Sequence, residues 1–437
     1  MNPPLPATSK RNNRTRFILW SLWSLWCIAV SAQPFHPVLE AAKAQRQSFL
    51  ETLEALVNIE SGSHDREGLD RIADLVAAKL RGLGGDVDVL EAPDAEIARS
   101  ERRPARPGKM VKATFKGKGA KSILLIAHMD TVYERGMLAN QPFRIDGNRA
   151  YGLGISDDKQ GVALIIHAVA MLKSLAYDKH GTITVLINGD EEVGSPASRK
   201  TLTALGASHD ATMSFEATGV SNDRLSLTTA GIGTLTLTVE GRASHAGSSP
   251  HRGVNALYEM AHQVLQARDL SDPATGVKLN WTVAKAGTVQ NVIPAHAQAV
   301  ADVRVLKVED YDVVEGKVRE RIASKLLPES KVSFTFERGR PPLVMRPESR
   351  ALAEHSRKIY REVGQELEVE TTAVGGGTDA AYAGLRARGP VVERYGMRGA
   401  GGHTANAEYI VLDNLEPRLY LAARTIMDIA EGKVLKP

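Results

Sequence analysis

"LLIAHMDTVYERG", residues 124–136, runs an apolar stretch straight into His128 and Asp130. A strand this continuously apolar leaves no side for water, so it belongs inside a sheet covered by helices on both faces. "GTITVLINGDEE" and "ATMSFEAT" have the same form, and ahead of them "DDKQGVALIIHAVAMLKSLAY" carries helical spacing. Upstream, "FLETLEALVNIES" and "LDRIADLVAAKLRGLGG" repeat apolar residues at three and four, and the Gly-Gly predicts a helix end. "SERRPARPGKM", residues 100–110, reads as a charged loop. Strands alternating with helices predict an α/β domain.

From about residue 228 the pattern changes. "GTLTLTVEGRA" alternates as a strand, "GVNALYEMAHQVLQARDL" is helical, and "KLNWTVAKAG" and "AQAVADVRVL" are two further strands. "EDYDVVEGKVRERIASKLL" is helical again and "KVSFTFERG" closes as a strand. Strand–helix–strand–strand–helix–strand is the order of a split βαβ sandwich. The expected organisation is a discontinuous, helix-covered α/β domain (33–227 and 344–437) with a ferredoxin-like α+β domain inserted at 228–343.

Residues 1–32 are read separately. Lys10, Arg11, Arg14 and Arg16 precede the 14-residue run "FILWSLWSLWCIAV", then "SAQPF". That order predicts a secretory signal cleaved after Ala32 and a periplasmic or secreted protein. The run is shorter than the roughly 20 apolar residues of a membrane span. Without those four basic residues, 51 Lys and Arg face 51 Asp and Glu. The mature chain is then neutral, which removes the electrostatic case for nucleic acid. The single cysteine, Cys27, leaves with the signal, so disulfide and thiolate chemistry are excluded from the mature chain.

Chemistry concentrates where strands end. His128 and Asp130 follow one strand, Asp190, Glu191 and Glu192 another, and Glu216 a third. In an open α/β sheet those ends border the ligand crevice. Asp157 and Asp158 open the helix in "YGLGISDDKQG", and His403 lies in the glycine-rich "RGAGGHTANAE". Singly, each has a commoner explanation: a capping aspartate, a helix N-cap, a solvated acidic pair, a loop histidine. Their coincidence at one crevice edge favours a site. Two imidazoles with several carboxylates and no thiolate suit zinc, with cobalt or manganese as alternatives. A bridging carboxylate between two ions leaves more room for chemistry than five donors on one.

Taken in order, "HMDTVY", "YGLGISDDKQG", "NGDEEVGS", "SFEAT", "RASHAG", "GGGTDAAY" and the late histidine resemble the co-catalytic zinc peptidases of the aminoacylase/carboxypeptidase superfamily. Within it the chain is most similar to bacterial glutamate carboxypeptidases of the folate-cleaving, carboxypeptidase G type. The resemblance implies that Asp157 bridges two zinc ions, with His128 and Glu216 completing one and Glu192 and His403 the other. It implies that Glu191 is the general base and that Asp130 orients His128. It implies that His245 reaches the active site of a partner subunit in a homodimer and stabilises the oxyanion there. Asn291, Arg304 and Gly376 would contact substrate, Arg304 through its terminal carboxylate. Arg224, where the group carries lysine, and Arg340 would lie near a glutamate side chain. The expected activity is hydrolysis of the amide bond before a C-terminal amino acid, glutamate above all, in peptides, N-acyl glutamates or folates. Rival readings are a dipeptidase, N-acyl amino-acid deacylase or desuccinylase with the same metals, and a catalytically inactive periplasmic binding protein.

Overall fold

The computed structural model describes residues 33–91, 106–373, 375–404 and 407–434. The expected signal, and residues 100–105 of the charged loop, lie outside them. No helix among the described residues is long and apolar enough to cross a membrane.

Three helices come first: α1 (His36–Ala44), α2 (Arg46–Val57) and α3 (Arg66–Gly82). Asp65 caps α3 by accepting from the Gly68 amide at 3.0 Å, and Gly84 beyond its end takes φ +91°. Then follow β1 (Asp86–Leu90), β2 (Met110–Lys116), β3 (Ser122–His128), α4 (Gln160–Ser174), β4 (Thr182–Asn188), α5 (Arg199–Ser208) and β5 (Ala211–Ser214). The chain next builds β6 (Gly231–Glu240), α6 (Ala256–Gln266), β7 (Lys278–Ala286), β8 (His296–Val305), α7 (Asp310–Ile322) and β9 (Lys331–Arg338). It ends with α8 (Pro347–Glu362), α9 (Ala380–Gly384), β10 (Val391–Val392) and α10 (Leu415–Ala430).

The large sheet has the order β1-β2-β4-β3-β5-β10, with β4, β3, β5 and β10 mutually parallel, β2 antiparallel to β4 and β1 antiparallel to β2. Strand β3 is buried on both faces, as its apolar run requires. Ile123, Leu125 and Ala127 join the main core with α4 and α10. Leu124 and Ile126 face the other way, onto Leu202 of α5 and Tyr382 and Ala383 of α9. Four parallel strands deliver their C-terminal ends, and the residues just beyond them, to one edge.

β6 to β9 form a separate antiparallel sheet in the order β7-β8-β6-β9. One face packs on α6 and α7 through Leu235, Leu237, Val239, Ala299, Ala301, Val303, Val314 and Val318. The opposite face carries Thr234, Thr236 and Val300 towards a cleft shared with the large sheet.

Two features depart from the sequence reading. Helix α4 starts at Gln160, later than "DDKQG" suggests, because Asp157 (φ −123°, ψ 88°) and Asp158 (φ −134°, ψ 33°) are not helical. A further, miniature sheet joins Arg144–Asp146, Arg149–Tyr151, Tyr409–Val411, Arg398–Ala400 and Thr218–Gly219. Strands of two or three residues carry no periodicity to read, yet this sheet holds together the segments bearing Asp157, Glu216 and His403.

Candidate dinuclear metal site

His128 is the last residue of β3. Its Nδ1 lies 3.1 Å from the Asp130 carbonyl oxygen and 3.3 Å from Asp130 Oδ1. That leaves Nε2 pointing into the crevice, 3.0 Å from Asp157 Oδ1 and 3.5 Å from Glu216 Oε1. His403 approaches from the opposite side, with Nε2 3.1 Å from Asp157 Oδ2 and 3.2 Å from Glu192 Oε2. One carboxylate thus stands between two imidazoles, an oxygen to each. The side chains form two overlapping groups, His128–Asp157–Glu216 and Asp157–Glu192–His403, each with its candidate ligand atoms within 4.8 Å of one another.

The electrostatics favour added positive charge. Burial works against a proton on His128, but Glu216, Asp130 and Asp157 push its pKa well up. Hydrogen bonds to Asp157 and Glu192 push His403 up to about 11. Burial alone would raise Asp157, yet His128 and His403 hold it well below the carboxylate range. Burial pushes Glu192 up to about 7 despite its bond to His403. Glu192 Oε1 is buried with no hydrogen-bond partner, which leaves an acceptor open to a cation. An all N/O donor set with an orphaned carboxylate oxygen fits divalent cations of the zinc class.

Asp130 does more than orient His128. Its carboxylate accepts from the amides of Glu191 at 3.0 Å and Glu192 at 3.1 Å, and from Ser63 Oγ at 2.8 Å. It therefore fixes the turn after β4, where adjacent glutamates take different directions. Glu192 faces His403. Glu191 faces Arg340, with Oε1 2.5 Å from Nη1. Burial raises the Glu191 pKa well above the ordinary range, opposed by the Arg340 charge.

Arg340 keeps different company from that expected. Only 4 % exposed, it donates to Glu191 Oε1, to the Glu191 carbonyl at 2.7 Å, to Asp379 Oδ1 at 3.2 Å and to Ser195 Oγ at 3.3 Å. It leaves β9 where the chain returns to the large sheet, among buried carboxylates that need a cation, so its fork is spent on the protein before any substrate arrives. Arg224 is likewise ion-paired, with Nε 3.1 Å from Glu370 Oε2, though both arginines line the cleft.

That cleft has a volume of about 930 Å³, and besides the metal-site carboxylates and His403 it is lined by Arg304, Gly376 and Gly377. Arg304 is held on two sides, by both oxygens of Asp302 at 2.8 and 2.9 Å and by the Gly375 carbonyl at 2.9 Å. His245 and Asn291 lie elsewhere on the inserted domain, exposed, their segments joined by the Ala246 amide and the Asn291 carbonyl at 2.9 Å. His245 Nδ1 accepts from the amides of Gly247 and Ser248, each at 3.1 Å, which leaves the ring proton on an outward Nε2.

Three participants were not singled out from sequence. Asp379 accepts from Arg340, Asn188 and Ser195. Tyr133 and Glu408 hydrogen-bond each other at 2.7 Å beside the Asp157 loop. All three sit inside quoted motifs, but an acid or a phenol in a loop carries no periodic signal.

The sequence profile described as peptidase family M20/M25/M40 matches residues 124–428. The chain is 42% identical over 396 residues to carboxypeptidase G2 of Pseudomonas sp. (strain RS-16), covering 91% of this chain and 92% of that protein. It is 27% identical over 312 residues to a succinyl-diaminopimelate desuccinylase of Methylorubrum extorquens (strain PA1), covering 67% and 78%. Among solved structures, aminopeptidase PepT of Bacillus cereus ATCC 10987 superposes with a TM-score of 0.71 at 20% identity, covering 88% of this chain and 99% of that one.

Proposed function

The chain belongs to peptidase family M20/M25/M40 and is a metal-dependent carboxypeptidase of it, and we propose that it releases C-terminal glutamate from N-acyl glutamates, short peptides or folates using two zinc ions. The observation that carries this reading is the Asp157 carboxylate, 3.0 Å from one imidazole and 3.1 Å from the other. His128 and Glu216 would hold one ion, Glu192 and His403 the second, and Asp157 both. Bound zinc supplies Lewis acidity to the scissile carbonyl and makes water a nucleophile at neutral pH.

The chain's own residues do the rest. Glu191 takes the proton of the attacking water and hands it to the leaving amine. Arg340 and Asp130 hold that carboxylate and its backbone in place. Arg304, prealigned by Asp302, presents a guanidinium to the substrate's terminal carboxylate, with the Gly376 backbone alongside. Arg224 supplies positive charge near a glutamate side chain. His245 and Asn291 serve the active site of a partner in a homodimer, the outward Nε2–H of His245 donating to the oxyanion. The protein works in the periplasm or is secreted.

Release of free amino acids from a panel of N-acyl amino acids tests the reading, with Glu191→Gln and a metal assay alongside. Zinc-dependent glutamate release far above alanine or leucine, lost in Glu191→Gln, is the expected result. Release of other amino acids only would discard glutamate and keep the metal centre. Preference for dipeptides or succinylated amines would favour the dipeptidase or desuccinylase reading. Two bound ions without turnover on any of them would leave the metal centre standing and the substrate open, whereas a chain that binds no metal would favour a binding protein.

A further inference from the structure

We propose that Glu408 is the positioning residue that sets the bridging carboxylate Asp157, and through it the affinity of both metal sites. The inference rests on the dinuclear reading above. Glu408 is 1 % exposed, and four donors converge on its two oxygens. Oε1 accepts from the amides of Ser156 at 2.7 Å and Asp157 at 2.9 Å. Oε2 accepts from the Gly154 amide at 2.8 Å and from Tyr133 Oη at 2.7 Å.

These donors come from separate parts of the chain. Tyr133 follows His128 on the loop after β3. Gly154, Ser156 and Asp157 lie on the irregular turn before α4. Glu408 itself closes the loop that carries His403. One buried carboxylate therefore fastens three ligand-bearing segments to one another.

The turn needs such an acceptor. Asp157 is not helical, so the Ser156 and Asp157 amides cannot all find partners within a helix. Buried amides must bond somewhere. Glu408 takes them side by side, which orients the two peptide planes flanking Ser156, the second of which leads into Asp157, and hence aims the Asp157 side chain between the imidazoles. A carboxylate suits the task because it only accepts. A glutamine would turn an NH2 towards amide N–H groups and forfeit at least part of the set. The Glu408 side chain points at backbone and a phenol and does not itself face the metals, so its effect on them is indirect.

Zinc titration of the chelator-stripped full chain against a chromophoric competitor tests this directly, with no dependence on turnover. Wild type is expected to take up two ions. Glu408→Gln should weaken both by roughly 10- to 100-fold, the usual effect of removing a partner that orients a ligand. Tyr133→Phe, which removes one of the four donors, should shift both in the same direction by less. His403→Ala should weaken one ion only. Glu408→Gln binding both ions as tightly as wild type would overturn the proposal. So would weakening confined to the His403 side, because Glu408 would then act on its own loop and not through Asp157. If circular dichroism shows Glu408→Gln to be unfolded, Tyr133→Phe decides, and unchanged affinity there overturns it. A wild-type chain that binds no zinc pair would overturn the dinuclear reading itself, a result distinct from all of these.

Discussion

Each oxygen of Asp157 meets a different imidazole, whereas Glu191, on the turn after β4, meets a guanidinium. The same side-chain chemistry is thus directed to two tasks by its neighbours. Arg340 is ion-paired with Glu191 and Asp379 together inside the protein. Arg340→Met should therefore leave two buried carboxylates without a cation and cost about 3–5 kcal/mol. A lowered Tm in calorimetry is the expected readout, with kcat falling more than KM rises if the loss falls on Glu191 in its proposed role as proton carrier. A rise in KM for glutamate substrates alone would instead return Arg340 to substrate recognition. The acids and imidazoles at this scale were legible, since His128, Glu191, Glu192 and Glu216 follow strands, Asp157 stands ahead of a helix and His403 lies in a glycine-rich loop. The destination of Arg340 was not, because nothing local to residues 338–342 encodes where the chain leaving β9 meets the turn after β4.

Helix α4 packs its His167 against α2. Its Nδ1 lies 2.7 Å from Gln45 Oε1, and its Nε2 lies 2.9 Å from Thr52 Oγ1, which also receives the Lys79 ammonium at 3.1 Å. The neutral ring satisfies this arrangement by donating to Gln45 and accepting from Thr52. A second ring proton would point at a hydroxyl already held next to a cation. Burial, helped by Lys79, pushes the His167 pKa down from 6.5 to about 4. Between those values the unfolded chain binds the proton and the folded chain does not, so stability falls as pH falls. Lowering the pH from 6.5 towards 4 should cost about 3 kcal/mol from this group. Denaturant titrations at the two ends of that range should show it, and His167→Gln should flatten the slope. An unchanged slope would place the acid sensitivity elsewhere. The helix itself was visible in the apolar spacing of "GVALIIHAVAML", but the late start was not. Aspartates favour helix N-termini, so "DDKQG" reads as a helix start, but the Ser156 and Asp157 amides are claimed by Glu408, more than 250 positions away.

At the scale of the whole molecule, the site joins segments spread over most of the described chain, so ligands that hold it also hold the fold. Removing metal with a chelator should abolish turnover and lower Tm. Zinc at a thousandfold excess over its Kd should return about 4 kcal/mol per site. A Tm unmoved by chelation would separate the ions from the fold. His245 lies outside the cleft of its own chain, and if it serves a partner's site, two inactive variants should rescue each other. Mixed Glu191→Gln and His245→Ala chains would form one complete site in each mixed dimer, restoring about a quarter of wild-type activity at random pairing. No recovery on mixing, with dimers shown by light scattering, would confine His245 to its own subunit.

The alternation of buried strands with helices, the inserted strand–helix–strand–strand–helix–strand block and the acids and imidazoles at strand ends were determined by the sequence alone. Hydrophobic periodicity is a local property, and burial on one face or two is written into consecutive residues. The miniature sheet, the pairing of Arg340 with Glu191 and the clasp of Glu408 on the Asp157 turn were decided only by tertiary structure. Each joins residues far apart in the chain, and a buried hydrogen bond or ion pair is specified by which surfaces meet on folding.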